Sequence, residues 1–255
     1  MTLTDTHCHL YLDKFDEDLG QVLDRAYEAG IREIYLPAID WSSLEQMDKL
    51  SHPHIRFHKM AGVHPCEVEK NWPVDADRLA ELLSGEEYIA VGETGLDYYW
   101  SRDHIDRQKE SLSIHCGLAK KLEKPIVLHN RNSTADLLDL IESEQDGALR
   151  GVWHCFSGTL EEANRALDLG LYLGIGGILT FKNSKLDQVV AQLPKERLIL
   201  ETDAPFLAPD PKRGKRNEPA YMLYTARKLA EVMGESLEET ARITTRNATE
   251  LFRPN

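Results

Sequence analysis

Six side chains with metal-binding chemistry, His7, His9, Glu93, His129, His154 and Asp203, fall at or near the ends of short aliphatic runs. Imidazole nitrogens and carboxylate oxygens ligate divalent cations, and barrel enzymes gather working groups at the carboxyl ends of their strands. Brought to one rim, these six would form a centre for metal-assisted hydrolysis.

His7 and His9 are one residue apart, so the two-residue period of a strand points both rings into the same space, with Asp5 deeper on that face. His129 ends Pro125-Ile126-Val127-Leu128, and His154 ends Gly151-Val152-Trp153. Taken singly, each fits a buried, hydrogen-bonded histidine better than a ligand; in register with His-x-His they favour ligation. Glu93 follows Ile89-Ala90-Val91, and a carboxylate in a barrel core is costly without a partner, which a bridging cation would supply. Asp203 ends the run from Leu198 to Thr202, where ligation and general-base duty combine. Glu201, one layer down, is expected to orient a ligand.

His64, at the end of Gly62-Val63-His64, should face the same site and bind a substrate phosphate, as should Arg131, two residues beyond His129. Lys215 lies in the charged stretch Lys212-Arg213-Gly214-Lys215-Arg216, which fits a solvated loop and a phosphate-contacting loop equally well. His52 and His54 precede the third strand, His58 sits too early in it, and His104 and His115 belong to a helical region, so all five are assigned to structure or surface. Cys8 and Cys155 should turn their sulfurs from the metal by strand alternation, and with Cys66 and Cys116 show no C-x-x-C spacing, so reduced packing thiols are expected.

The elements that position these residues repeat. Strand candidates lie near residues 3–9, 31–39, 55–63, 88–93, 125–130, 151–156, 171–178 and 197–203, with amphipathic stretches between most of them. Leu19, Val22, Leu23 and Ala26 keep the helical spacing, as do Leu186, Val189, Val190 and Leu193; Gly30 and Gly170 stand as helix stops. Alternating strands and helices allow a doubly wound sheet or a closed barrel. A doubly wound sheet collects ligands at one switch point, whereas these come from strands 1, 4, 5, 6 and 8, which only a ring brings together. The expectation is an α/β, TIM-like (β/α)8 barrel, a single domain over residues 1–255. Helices over 218–233 and 236–252 would be the last barrel helix and a C-terminal extra helix.

Composition narrows the partners. With 42% hydrophobic residues the 255-residue chain can build one large core, and no apolar run approaches the roughly 18 residues of a membrane span. Its first residues enter a strand directly, so a cytoplasmic location is expected. A formal net charge of −13 argues against broad adhesion to nucleic acid, although a pair of divalent cations would leave the cleft itself positive. No obligate protein partner is evident, and a monomer is the default.

The sequence resembles the TatD family of metal-dependent deoxyribonucleases, within the amidohydrolase superfamily, along almost its whole length. The likeness rests on Asp5-Thr6-His7-Cys8-His9, Gly62-Val63-His64-Pro65, Gly92-Glu93-Thr94-Gly95-Leu96-Asp97, His129-Asn130-Arg131, His154-Cys155-Phe156-Ser157-Gly158, Glu201-Thr202-Asp203-Ala204-Pro205 and Arg216-Asn217-Glu218-Pro219. It implies two divalent cations, one held by His7, His9 and Asp203, the other by His129 and His154, with Glu93 bridging. It also implies 3′–5′ exonuclease action on single-stranded DNA, in some members on RNA. Asn132 departs from the family's usual acid after the arginine, which bears on substrate affinity. The four imidazoles favour zinc or manganese, while the family is described as using magnesium. Relatives with this fold and metal centre give the alternative, a D-aminoacyl-tRNA deacylase or other ester or amide hydrolase.

Overall fold

Residues 1–100 and 102–252 are described in the computed structural model of the chain. Among them, eight strands form one sheet in sequence order: β1 (Leu3–Asp5), β2 (Ile31–Pro37), β3 (Arg56–Ala61), β4 (Tyr88–Asp97), β5 (Ile126–Arg131), β6 (Gly151–Trp153), β7 (Leu171–Ile175) and β8 (Leu198–Leu200). Every adjacent pair is parallel. The ring is closed between β1 and β8 by backbone bonds just past the strand ends. Thr6 donates to Leu200 O (3.1 Å), Asp203 to His7 O (2.9 Å) and His9 to Ala204 O (2.8 Å). The expected (β/α)8 barrel is what forms.

Parallel neighbours require crossovers, supplied by α1 (Leu19–Glu28), α2 (Trp41–Met47), α3 (Ala76–Ser84), α4 (Ile105–Lys121), α5 (Thr134–Glu144), α6 (Leu160–Asp168) and α7 (Leu186–Val190). Gly30 and Gly170 follow α1 and α6 at φ 97° and 85°, the left-handed conformation that ends helices. After β8 come α8 (Met222–Met233) and α9 (Leu237–Phe252). The helix expected from residue 218 begins at Met222, because Pro219–Tyr221 forms a 3-10 turn instead.

The extra helix is a plug. Tyr35, Met60, Ala90, Val127, Val152 and Ile199, from six different strands, form one buried cluster with Ala248, Leu251 and Phe252 of α9. Only the barrel interior brings those strands together, so α9 closes its amino-terminal end. Asn247 anchors the plug by donating to Lys195 O and Leu198 O, each at 2.8 Å. Two residues along from Val127, Val152 and Ile199 lie His129, His154 and Glu201; the period-two face that is apolar at the bottom becomes ligand-bearing at the top.

Several strands are shorter than their sequence pattern. β1 stops at Asp5, β6 at Trp153 and β8 at Leu200, so His7, His9, His154 and Asp203 sit on the segments leaving the strands. β4 runs four residues beyond the expected end, to Asp97. Truncating the plug at Phe252→Ala should destabilise the fold by about 3 kcal/mol, as removal of a buried phenyl ring does. Urea unfolding monitored by circular dichroism measures that loss.

Candidate metal centre

Glu93 lies at the middle of the cluster. Ala90 and Glu93 are an odd number of residues apart yet both face inward, because the register of β4 against β5 shifts between Val91 and Thr94. The Glu93 Oε2 atom lies 3.2 Å from His7 Nε2 and 3.5 Å from His9 Nε2. Its Oε1 atom lies 3.0 Å from His154 Nε2, 3.1 Å from His129 Nδ1 and 3.5 Å from His64 Nε2. Asp203 Oδ1 stands 3.5 Å from His9 Nε2 and 3.9 Å from His7 Nε2. All six expected ligands therefore converge on one space.

Tautomers can be assigned from the outer partners. The Tyr11 hydroxyl donates its single proton to Pro37 O (2.7 Å), so at 2.8 Å it accepts from His9 Nδ1–H. That leaves the His9 Nε2 lone pair directed at the carboxylates. In the same way His129 Nε2–H donates to Asp97 Oδ2 (3.0 Å), and its Nδ1 lone pair faces Glu93. A carboxylate behind the distal nitrogen is the usual way to orient a ligating histidine. His154 Nδ1 lies 3.5 Å from Glu201 Oε1, and Gly174 leaves room for that acid, since a Cβ there would come within 2.1 Å of Glu201 Oε2.

This donor set fits a cation. Lone pairs on imidazole nitrogens point at carboxylate oxygens, and His7 Nδ1 is buried without a hydrogen-bond partner among the described residues. Without a metal, protons must take its place. Burial alone would raise the Glu93 carboxyl, but the imidazoles of His154, His7 and His64 hold it well below its ordinary range. Burial opposes charge on His154, yet Glu93 and Glu201 push it well above the usual histidine value. Three clusters have metal-ligand spacing: His7, His9 and Asp203; His7, His154 and Glu201, which shares His7 with the first; and His64, Glu93 and His129.

His64 differs from the ligands. Cys66 N–H donates to its Nδ1 at 3.1 Å, and burial and the neighbouring His129 lower its pKa to about 3. The neutral ring therefore carries its proton on Nε2 and presents a donor to the site. His115 supports this corner: its Nε2 accepts from Val63 N–H (3.1 Å) and its Nδ1–H donates to Ser111 O (2.7 Å). The structural assignment of His115 is thus met by a satisfied core histidine. His52, His58 and His104 pair with Asp24, Glu33 and Glu69, and His54 stacks on Tyr27.

Arg131 ends β5 with its guanidinium 3.8 Å from the centre of the Tyr99 ring. Lys215 is exposed on the loop after β8. Its neighbours there are engaged: Arg216 makes a two-pronged pair with Asp18 (2.8 and 2.7 Å), and Arg213 lies over Phe181. Asn217 donates to Thr202 O and Phe206 O, so the Arg216-Asn217-Glu218-Pro219 motif holds the Asp203 loop in place. Asp5 does likewise from below. It accepts from Thr202 N–H (3.0 Å) and Oγ1–H (2.6 Å), and burial raises its pKa to about 8.

Two features escaped the sequence. Asp97 and Tyr11 orient ligands, and both were findable: Asp97 follows Glu93 by four residues on one strand, and Tyr11 follows His9 by two. Cys155 departs from expectation. Its φ of 50° takes it out of strand alternation, it is partly exposed, and burial with the charges of Asp203, Glu201 and Glu93 raises its thiol well above the usual value. Cys8 is buried as expected, with Sγ 3.8 Å from Ala204 O.

A parallel barrel with imidazoles and carboxylates converging at its carboxyl-terminal mouth is the architecture of a metal-dependent hydrolase. The family described as "TatD related DNase" matches residues 4–253. The metal-dependent hydrolase YabD of Bacillus subtilis is 39% identical over 254 residues, covering 99% of this chain and 100% of that one. YcfH of Escherichia coli K12, another metal-dependent hydrolase, is 36% identical over 256 residues, covering 99% and 96%. Among solved structures, the TatD homologue YjjV of Escherichia coli K12 superposes with a TM-score of 0.91 at 32% identity, covering 99% of this chain and 98% of that one. The chain belongs to the TatD family of metal-dependent hydrolases. No helix among the described residues is long and apolar enough to cross a membrane.

Replacing Asp97 by Asn should weaken binding of a divalent cation about 10–100-fold, because His129 loses the acid that fixes its ring; isothermal titration of metal-stripped protein reads this directly. Burial lowers the His115 pKa from 6.5 to about 4, so the unfolded chain takes up its proton first. The stability this ring confers is complete above pH 6.5 and is lost as pH falls towards 4, by about 3 kcal/mol. Urea titrations at pH 7.5 and 4.5 should show a smaller pH effect in His115→Gln than in the parent.

Proposed function

We propose that the protein hydrolyses phosphodiester bonds in DNA with two divalent cations, acting as a 3′–5′ exonuclease on single strands. The observation that carries this is the shared Glu93 carboxylate, with His7 and His9 at one oxygen and His129 and His154 at the other. His7, His9 and Asp203 would hold one cation, His129 and His154 the other, with Glu93 between them. Magnesium, manganese or zinc in such a pair lowers the pKa of bound water and neutralises a phosphate in flight.

The chain's own groups would do the rest. Asp203 is held ionised because, against burial, the imidazoles of His9, His154 and His7 lower its pKa. A carboxylate oxygen of Asp203 takes the proton from the water whose oxygen bonds to phosphorus as the bond to the leaving sugar oxygen breaks, and that oxygen takes up a proton from solvent. His64 Nε2–H donates to a non-bridging phosphate oxygen, and Arg131 and Lys215 add positive charge along the rim. DNA as substrate comes to this reading from the family's description, and cleavage polarity, strand preference and RNA as a related substrate come from the resemblance alone.

The net charge of −13 favours a small or loosely held substrate, which supports a second reading, ester or amide hydrolysis on the same site; the D-aminoacyl-tRNA bond enters that reading from the resemblance. Metal-stripped protein resupplied with magnesium, manganese or zinc should degrade 5′-labelled single-stranded DNA to a ladder. Asp203→Ala should reduce the rate by about 10²–10⁴-fold, the range of a lost general base. A parent protein inactive on DNA with every metal, yet active on D-aminoacyl-tRNA, would replace the first reading by the second.

A further inference from the structure

Large aromatic surface is exposed where the site opens. Trp100 is 70% and Tyr99 54% exposed, and Phe206 is 40% exposed. Tyr99 and Trp100 follow β4 after Tyr98, and their rings meet edge to face at 5.0 Å. The Arg131 guanidinium lies 3.8 Å from the Tyr99 centroid and 5.3 Å from that of Trp100. Phe206 stands by another ligand, 6.1 Å from the His9 ring and under Lys14 Nζ at 4.9 Å. Aromatic rings left in water at the mouth of a site, each accompanied by a cation, are placed for a flat, anionic-backboned ligand.

The platform is tied to the chemistry by one carboxylate. Asp97 Oδ1 accepts from the backbone N–H of Tyr99 (2.9 Å) and Trp100 (3.3 Å), while its Oδ2 accepts from His129 Nε2. Tyr98 N–H also donates to Arg131 O at 2.9 Å, joining the turn to the end of β5. Aromatic turn, arginine and candidate ligand are therefore fixed relative to one another.

We infer that Tyr99, Trp100 and Arg131 form a stacking platform for an unpaired nucleobase of a single-stranded nucleic acid whose phosphate lies at the Glu93 cluster. This rests on the nuclease reading and specifies how the strand is held. Every base has a π-face, so the platform tolerates any sequence, and that face is available only when the base is not stacked within a duplex. A globally acidic protein, with little general attraction for phosphates, thereby gains affinity from the bases.

The test is binding without turnover. A fluorescein-labelled short thymidine strand with a nuclease-resistant phosphorothioate backbone, and the same backbone lacking bases, are titrated into magnesium-loaded protein and followed by anisotropy. Trp100→Ala should weaken thymidine binding roughly tenfold, the scale of one lost base–aromatic stack, and Trp100→Phe should restore most of it. The abasic strand should bind parent and Trp100→Ala equally. The inference is overturned if Trp100→Ala binds thymidine as the parent does, if it loses affinity equally for both strands, or if the parent binds neither. Unchanged thermal melting of Trp100→Ala excludes misfolding as the cause of weaker binding. Strand binding that depends on Trp100, in a parent that cleaves no DNA with any metal, keeps the platform and discards the nuclease reading. DNA cleavage by the parent with no role for Trp100 in binding does the reverse.

Discussion

A carboxylate buried inside a barrel needs positive charge around it, and the structure is arranged to supply it to Glu93. The acid is 2% exposed and has imidazole nitrogens at both oxygens, drawn from the segments after β1, β3 and β6 and from β5 itself. An isolated ion there would be expelled or neutralised. Imidazoles alone meet the requirement only by holding protons, which crowds like charges on His129 and His154 within one small space. Divalent cations satisfy both sets of groups at once. The demand for a cation thus follows from burial itself, before any substrate is considered.

Around that centre the supporting groups act by removing choice. Tyr11 and Asp97 each occupy the distal nitrogen of a histidine and so decide which nitrogen faces inward. Cys66 N–H does the opposite for His64 and makes it a donor. Three histidines of identical chemistry are divided into ligands and a hydrogen-bond donor by what stands behind them. Asp5 and Asn217 hold the Thr202–Phe206 segment from two sides, which lets Asp203 adopt a left-handed conformation (φ 55°) at a position where a regular strand would have turned it elsewhere.

The ligand set was legible because its residues obey simple rules. His-x-His, and a histidine ending an aliphatic run, mark the top of a barrel strand by periodicity alone, and six candidate ligands from five runs required a ring. What periodicity carried was face and order; strand length it did not carry. Buried residues and isolated backbone bonds, such as His154 N–H to Leu128 O and Asp203 N–H to His7 O, continue past the ladders of β1, β6 and β8, so residue type does not mark where those strands end. The inward aim of Glu93 depends on a register shift that no pattern of residue types announces, and Asp97 went unread because β4 was ended at the apparent ligand. The role of α9 was also hidden: its amphipathic spacing showed that one face is buried, but not that the face seals the barrel floor.

That seal has a consequence for how the chain acquires its shape. Thr6 bonds to Leu200, 194 residues away along the chain, and the floor under β2 to β6 is completed by Leu251 and Phe252. Loop closure over such distances is entropically expensive and comes late. During synthesis the earlier strands can pair as they emerge, yet the ring stays open and its apolar interior stays wet until the last helix is made. The nascent barrel therefore passes through a long interval as an unsealed half-ring, in which it depends on its own helices, or on chaperones, to keep its strand edges from pairing with those of another chain.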